Sequence, residues 1–133
     1  MPIKTAPSSP AQEVHWGSDI ASVKFDGRCL VVLVAREPLE GHRFRGLQVT
    51  FESATGFRFL DELDLARYWS SAGFVRGHHV LSVTAGGWAA EETQVQGWER
   101  PHKEWLVVTG NGCLNVFANE APKTAEGEFE SEA

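Results

Sequence analysis

The chain is short of several things that would settle its class at once. It has two cysteines, one methionine and one tyrosine in 133 residues. Cys29 and Cys113 lie in apolar, strand-like runs with neither CxxC nor Cys/His ligand spacing, so they read as buried free thiols rather than a disulfide or a zinc site. No stretch approaches the roughly 18 uninterrupted apolar residues of a membrane span. No segment repeats with a period of 20 to 50 residues. Motifs for nucleotide and hydrolase chemistry are missing too: there is no GxxxxGK[ST], no GxGxxG after a strand, no GxSxG and no HExxH. The large enzyme classes that leave short signatures are thereby removed.

Basic charge is also scarce. Twelve Lys and Arg face 18 Asp and Glu, a net charge of −6 with pI near 5.3, which disfavours generic binding to a phosphate backbone. The excess is unevenly spread. Asn119 to Ala133 holds five acids and one base, so this segment supplies −4 of the −6. Val14 to Ala118 holds twelve acids and ten bases and is nearly neutral. Residues 1–15, with three Pro in the first ten and no apolar run, read as a flexible leader and not a signal peptide. The expected organisation is therefore leader 1–15, one domain over 16–118 and an acidic, disordered tail over 119–133, in a cytoplasmic protein.

What the chain has is aromatic mass, five Trp and eight Phe, set into strand patterns. Ala21, Val23 and Phe25 alternate with Ser22 and Lys24. Asp26-Gly27 then forms a hairpin signal before the apolar run Cys29 to Ala35, which is apolar at both parities as a central strand requires. Leu47, Val49 and Phe51 alternate with polar residues; Phe44 has the wrong parity for that face, which a bulge at Gly46 would restore. Phe57 to Leu60 is expected to return as a second hairpin around Ser53 to Thr55. Asp61 suits a helix N-cap, with Leu65, Trp69 and Ala72 as the helix's apolar stripe up to Gly73. A strand follows at His79, Leu81 and Val83 and is broken by Gly86-Gly87-Trp88. Glu104 to Thr109 and Cys113 to Ala118 close the chain as a hairpin through Gly110-Asn111-Gly112. The sum is an α+β fold, a predominantly antiparallel sheet of about six to seven short strands with one main helix packed on it.

The stretch from Ala85 to Lys103 lacks clear periodicity and is long for a loop, a place where function concentrates. It carries Trp88, Glu91, Glu92, Trp98 and Glu99, large aromatics beside carboxylates, as suits a surface that meets a basic protein partner. Trp69 and Trp105 read as core. No catalytic set, metal site or cofactor is expected: adjacent His78 and His79 point to opposite faces of a strand, and Asp61, Glu62 and Asp64 read as a capped helix start. The rival arrangement is a small-ligand, metal or enzyme pocket lined by His79, Asp61, Glu62 and the Gly86-Gly87 turn. Arg43, Arg45 and Arg58 on one sheet face would be the footprint of a nucleic-acid binder, the class that the net charge disfavours.

Three runs, GFRFLDELDLARYW (Gly56 to Trp69), HHVLSVTAGGWAAEE (His78 to Glu92) and EWLVVTGNGCLNVF (Glu104 to Phe117), resemble a group of small proteobacterial proteins. Those carry GFRxLDExDLxxYW, a GGW followed by an acid, and a closing strand pair with a Cys. Leu63, Trp105 and Gly112 stand here where the group's Gly, Tyr and Asp are expected. The resemblance covers about Ile20 to Pro122. It implies a small cytoplasmic immunity protein, non-enzymatic, that binds and neutralises a cognate antibacterial toxin encoded by the adjacent gene, with neither nucleic acid nor membrane as partner.

Overall fold

The computed structural model describes residues 3–8, 17–61, 68, 72–75, 77–97 and 103–130. Nine strands and one helix are found there: β1 (Lys4–Pro7), β2 (Asp19–Phe25), β3 (Leu30–Pro38), β4 (Arg43–Phe51), β5 (Ala54–Asp61), β6 (Val80–Ala85), α1 (Gly87–Gln96), β7 (Lys103–Val108), β8 (Gly112–Ala118) and β9 (Lys123–Glu130). Every strand pairing is antiparallel. The strands form two sheets, one ordered β1-β6-β7-β8-β5 and the other β2-β3-β4-β9. The antiparallel α+β expectation therefore stands, with helix a minor part among the described residues and two sheets in place of one.

Between the sheets lies one apolar cluster. Leu30, Val32, Val34, Leu47, Val49 and Phe51 meet Val80, Trp105, Val107, Leu114 and Val116, all nearly or fully buried. Strand alternation delivers this: odd and even residues face opposite ways, so each strand gives one set to the shared core. On the far face of the five-stranded sheet a second cluster gathers Ile3, Leu60, Tyr68, Phe74, Leu81, Leu106, Val108 and Cys113. β7 and β8 are thus buried on both faces, and their sequences are accordingly apolar at both parities.

Several local readings hold. Asp26 Oδ1 accepts the N–H groups of Arg28 (3.0 Å) and Cys29 (2.7 Å), fixing the β2–β3 turn around Gly27 at φ 99°. The β7–β8 turn closes where expected, with Thr109 N donating to Gly112 O at 2.9 Å. β3 is central, between β2 and β4.

Other readings are overturned. The leader contributes β1, whose Thr5 and Pro7 pair with Val83 and Leu81, and its Ile3 is core. The expected tail contributes β9: Phe129 sits opposite Phe44 with ring centroids 5.8 Å apart, and Arg43 pairs with Glu128 at 3.0 Å. Acid-rich composition is no bar to a strand when the neighbouring strand supplies arginines and a ring. Phe44 needs no restored parity, because it lies on the outer face beneath Phe129. The bulge falls in β3, where the register shifts between Ala35 and Glu37 opposite Gly46 and Arg45.

β4 and β5 are not a hairpin. Phe51 and Ala54 are both buried in the shared core, so the chain turns a corner at Glu52 and Ser53 and crosses from one sheet to the other. For that reason Arg43 and Arg45 lie on a different sheet from Arg58 and share no face with it. Asp61 ends β5, and the expected helix over 62–72 that it would cap lies outside the described residues except for Tyr68, which is helical and buried, and Ala72, which is in a turn. Of the two free thiols Cys113 is buried and Cys29 only half-buried.

Candidate functional site

The stretch expected as a loop holds α1, and its start explains why the sequence conceals it. Gly86 and Gly87 both have positive φ, 71° and 74°, and no side chain of the helix's own first turn caps it. The cap comes from β7. Glu104 Oε1 accepts Ala89 N–H at 2.7 Å and Oε2 accepts Trp88 N–H at 3.0 Å. A carboxylate on the free amides of a helix start satisfies the orphan donors and opposes the positive end of the dipole. A Cβ at Gly87 would come within 2.6 Å of Glu104 Oε2, so a residue without one is required there. At the other end Gly97, left-handed at φ 79°, donates to Thr93 O and stops the helix.

Around Glu104 a polar cluster fills the space between α1 and the sheet. Register places Arg58 beside Asn115 on β8, and Gly56 and Glu104 on either side of Phe117. Asn115 Nδ2 donates to Glu104 Oε2 (3.0 Å) and Tyr68 Oη (3.3 Å). Arg58 donates from Nε to Asn115 Oδ1 (3.2 Å) and from Nη2 to Tyr68 Oη (2.7 Å), and pairs with Glu91 at 2.5 Å. Its guanidinium lies 5.4 Å from the Trp88 ring centre, a cation–π contact. Trp88 stacks flat on Phe117, centroids 4.2 Å apart at 9°, and donates from Nε1 to Glu92 at 3.1 Å. Gly56 leaves room for that ring.

Burial raises the Glu104 carboxyl above the ordinary glutamate value, opposed by the bonds from Ala89, Trp88 and Asn115 and by Arg58. Burial also raises the Tyr68 hydroxyl, against the pull of Arg58 and the Asn115 bond. The acid at the centre of the cluster is thus turned inward, onto a helix end and an amide, and its evident work is to fix where α1 sits.

Of the residues expected at a partner surface, Trp88, Glu91 and Glu92 come together on α1. Trp88 is half-buried, its ring stacked on Phe117. Glu91 and Glu92 hold Arg58 and Trp88 yet keep part of their surface in solvent. Trp98 and Glu99 lie outside the described residues. Trp105 is core, as expected, at 5% exposure; Trp69 lies outside the described residues.

Of the rival pocket, His79 and the Gly86-Gly87 turn lie at opposite ends of β6. His79 precedes β6 and Gly86 follows it, so a strand of six residues holds them roughly 20 Å apart. His79 is fully buried, with Nδ1 2.6 Å from Val108 O; a carbonyl only accepts, so Nδ1 carries the hydrogen. Asp61 is exposed at the end of β5, and Glu62 lies outside the described residues. Among the described residues no three His, Cys, Asp or Glu are grouped as metal ligands. No helix is long and apolar enough to cross a membrane, again among the described residues. An open cleft of about 410 Å³ with walls of both charge signs, including Asp19, Arg36, Glu37 and Arg43, lies on the other sheet.

Sequence reasoning missed Glu104 and Asn115. The available signal was Glu104 and Asn115 within the apolar runs EWLVV and CLNVFA, since a polar group buried there needs a partner. The chain matches no family model, no curated protein and no solved structure, so its function is read from its residues and their geometry.

Proposed function

We propose that this chain is a non-enzymatic immunity protein that binds a cognate antibacterial toxin, the product of the adjacent gene, and occludes the toxin's active site or substrate path. One observation carries the reading. α1 has two acids and no basic residue in its sequence, and Glu91 and Glu92 stand one turn before Val95, which is 82% exposed. An acidic helix with an exposed apolar tip complements a basic partner, charge steering the encounter and Val95 supplying contact. Because Glu104 and the Trp88–Phe117 stack hold the helix in place, a partner meets a preformed surface and little ordering entropy is lost on binding. The resemblance of the GFR, GGW and closing-strand runs to immunity proteins supports the same reading.

The test is co-expression with the neighbouring gene's product. The chain is expected to abolish that product's toxicity and to form a stable complex weakened by salt; undiminished killing without a complex sinks the proposal. Val95→Arg is expected to weaken the complex at least tenfold, about 1.4 kcal/mol, while leaving the fold intact. If Val95→Arg binds as well as wild type, the toxin meets a face other than α1.

A further inference from the structure

Phe25 at the end of edge strand β2 meets Phe57 on edge strand β5, and the rings there are only partly covered. Phe25 is 43% exposed, Phe57 37% and Phe59 53%. Phe25 and Phe57 touch edge to face with centroids 5.5 Å apart. Phe57 and Phe59 are two residues apart, so both project from the same face of β5.

An edge strand offers unpaired N–H and C=O groups, and proteins ordinarily blunt such edges with proline, charge, bulges or shortness. Among the described residues the two sheets have four edge strands, and three of these are blunted. β1 is four residues long and ends in Pro7. β2 has a bulge between Ile20 and Ser22 and carries Asp19 and Lys24. β9 carries Lys123, Glu126, Glu128 and Glu130. β5 is different. Its one irregularity lies between Ala54 and Gly56, and from Gly56 to Asp61 its register is unbroken. Its mid-strand charge, Arg58, is turned to the opposite face and paired with Glu91.

We infer that the β5 edge is a self-association surface, at which two copies of this chain pair their β5 strands antiparallel about a two-fold axis and join their five-stranded sheets into one. The occupant is a second copy because the edge is complementary to itself. An antiparallel pair centred on Arg58 sets Phe57 opposite Phe59 of the second copy, and Phe59 opposite Phe57, on the face where both are exposed. Aromatic pairs across strands are favourable, and an isologous contact of this kind closes at two copies. Each Arg58 lies on the other face, against its own Glu91, which limits the like-charge cost at the axis. The three rings expose on the order of 250–300 Å² per copy, well under the roughly 800 Å² per partner of a standard interface. Main-chain bonds must supplement them, and the dimer is expected to dissociate in the micromolar range. The inference goes beyond toxin binding and does not depend on it.

The full chain, sedimented over about 5 to about 500 µM, is expected to pass from monomer to dimer with a dissociation constant in the micromolar range. Backbone amide signals of β5 should shift with concentration while those of β9 stay still. Phe57→Asp with Phe59→Asp is expected to weaken association at least tenfold. Should that pair fail to fold by far-UV circular dichroism, Phe57→Thr with Phe59→Thr keeps strand preference and removes the rings, with the same expected loss. A chain monomeric throughout, a dimer unaffected by the folded double variant, shifts that map to β9, or β5 amides that respond only to an added toxin each overturn the inference.

Discussion

Glu104 does the work of a capping residue from sixteen positions away. Its two oxygens take three donors, from Trp88, Ala89 and Asn115. Glutamine has only one acceptor oxygen, so Glu104→Gln leaves at least one of these buried donors facing an NH₂ group. A loss of about 1–3 kcal/mol in urea unfolding is expected. Its pH dependence has a definite sign. Because burial raises the Glu104 carboxyl, the folded chain binds that proton more tightly than the unfolded chain does. The resulting stability is complete below the unfolded value of about 4.3 and is lost as pH rises through the raised folded value. The advantage of wild type over Glu104→Gln should therefore shrink with increasing pH across that window. An advantage that grows instead would mean that the amide bonds outweigh burial. Tyr68→Phe removes the oxygen that accepts from Arg58 and Asn115 and is expected to cost about 1–2 kcal/mol, read in the same unfolding measurement.

At the scale of elements, Gly46 and Gly127 form a matched pair. They face each other across β4 and β9, yet their surroundings differ sharply. A Cβ on Gly46 would overlap Val34 O on β3, 1.8 Å away, whereas on Gly127 its nearest neighbour is the Phe129 ring at 3.5 Å. Gly46→Ala must push β3 from β4 and is expected to cost about 3 kcal/mol or more. Gly127→Ala meets ordinary contact, loses chain entropy in the unfolded state, and should change stability by less than about 1 kcal/mol. Thermal unfolding of the two variants checks the contrast; equal losses would mean that β3 and β4 are not in this close register.

The hairpins at Asp26-Gly27 and Gly110-Asn111-Gly112 were legible because a turn's chemistry lies within four residues. So was β3 as a central strand, because burial on both sides requires apolar residues at both parities. α1 was not legible. Its cap is contributed by another strand, and between Trp88 and Val95 it holds only two alanines, two acids, Thr93 and Gln94, too few large apolar residues to mark a stripe. β9 was hidden for a similar reason: KTAEGEFE looks solvated until Arg43, Arg45 and Phe44 are placed opposite it. Of the candidate site, the grouping of Glu91 and Glu92 was legible, since neighbours in sequence share one element. That Trp88 belongs to the fold depended on Phe117, 29 residues away.

For the molecule as a whole, the shared core between the sheets is the decisive feature. Leu47 belongs to one sheet and Leu114 to the other, and both are buried in the same cluster. Leu47→Ala and Leu114→Ala should each cost about 2–5 kcal/mol, and each should move one common transition followed by Trp fluorescence and far-UV circular dichroism. Two separated transitions would show that the sheets unfold apart. The −6 net charge also takes on a different meaning at this scale. Glu128 pairs with Arg43, and Lys123 with Glu52 at 2.6 Å; with exposed partners such pairs contribute little energy each, yet they set charges of β9 against opposite ones.

The sequence by itself determined the antiparallel strand content, the two tight hairpins and the richly aromatic core, since each of these is a short-range matter of periodicity, turn residues or composition. Only the tertiary structure decided which strands share a sheet, that Lys4–Pro7 and Lys123–Glu130 join the sheets, where α1 begins and which rings stay exposed. Those outcomes depend on pairs of residues far apart in the chain, Glu104 with Gly87 and Trp88, Phe44 with Phe129, Phe25 with Phe57, and a local pattern carries no record of its distant partner.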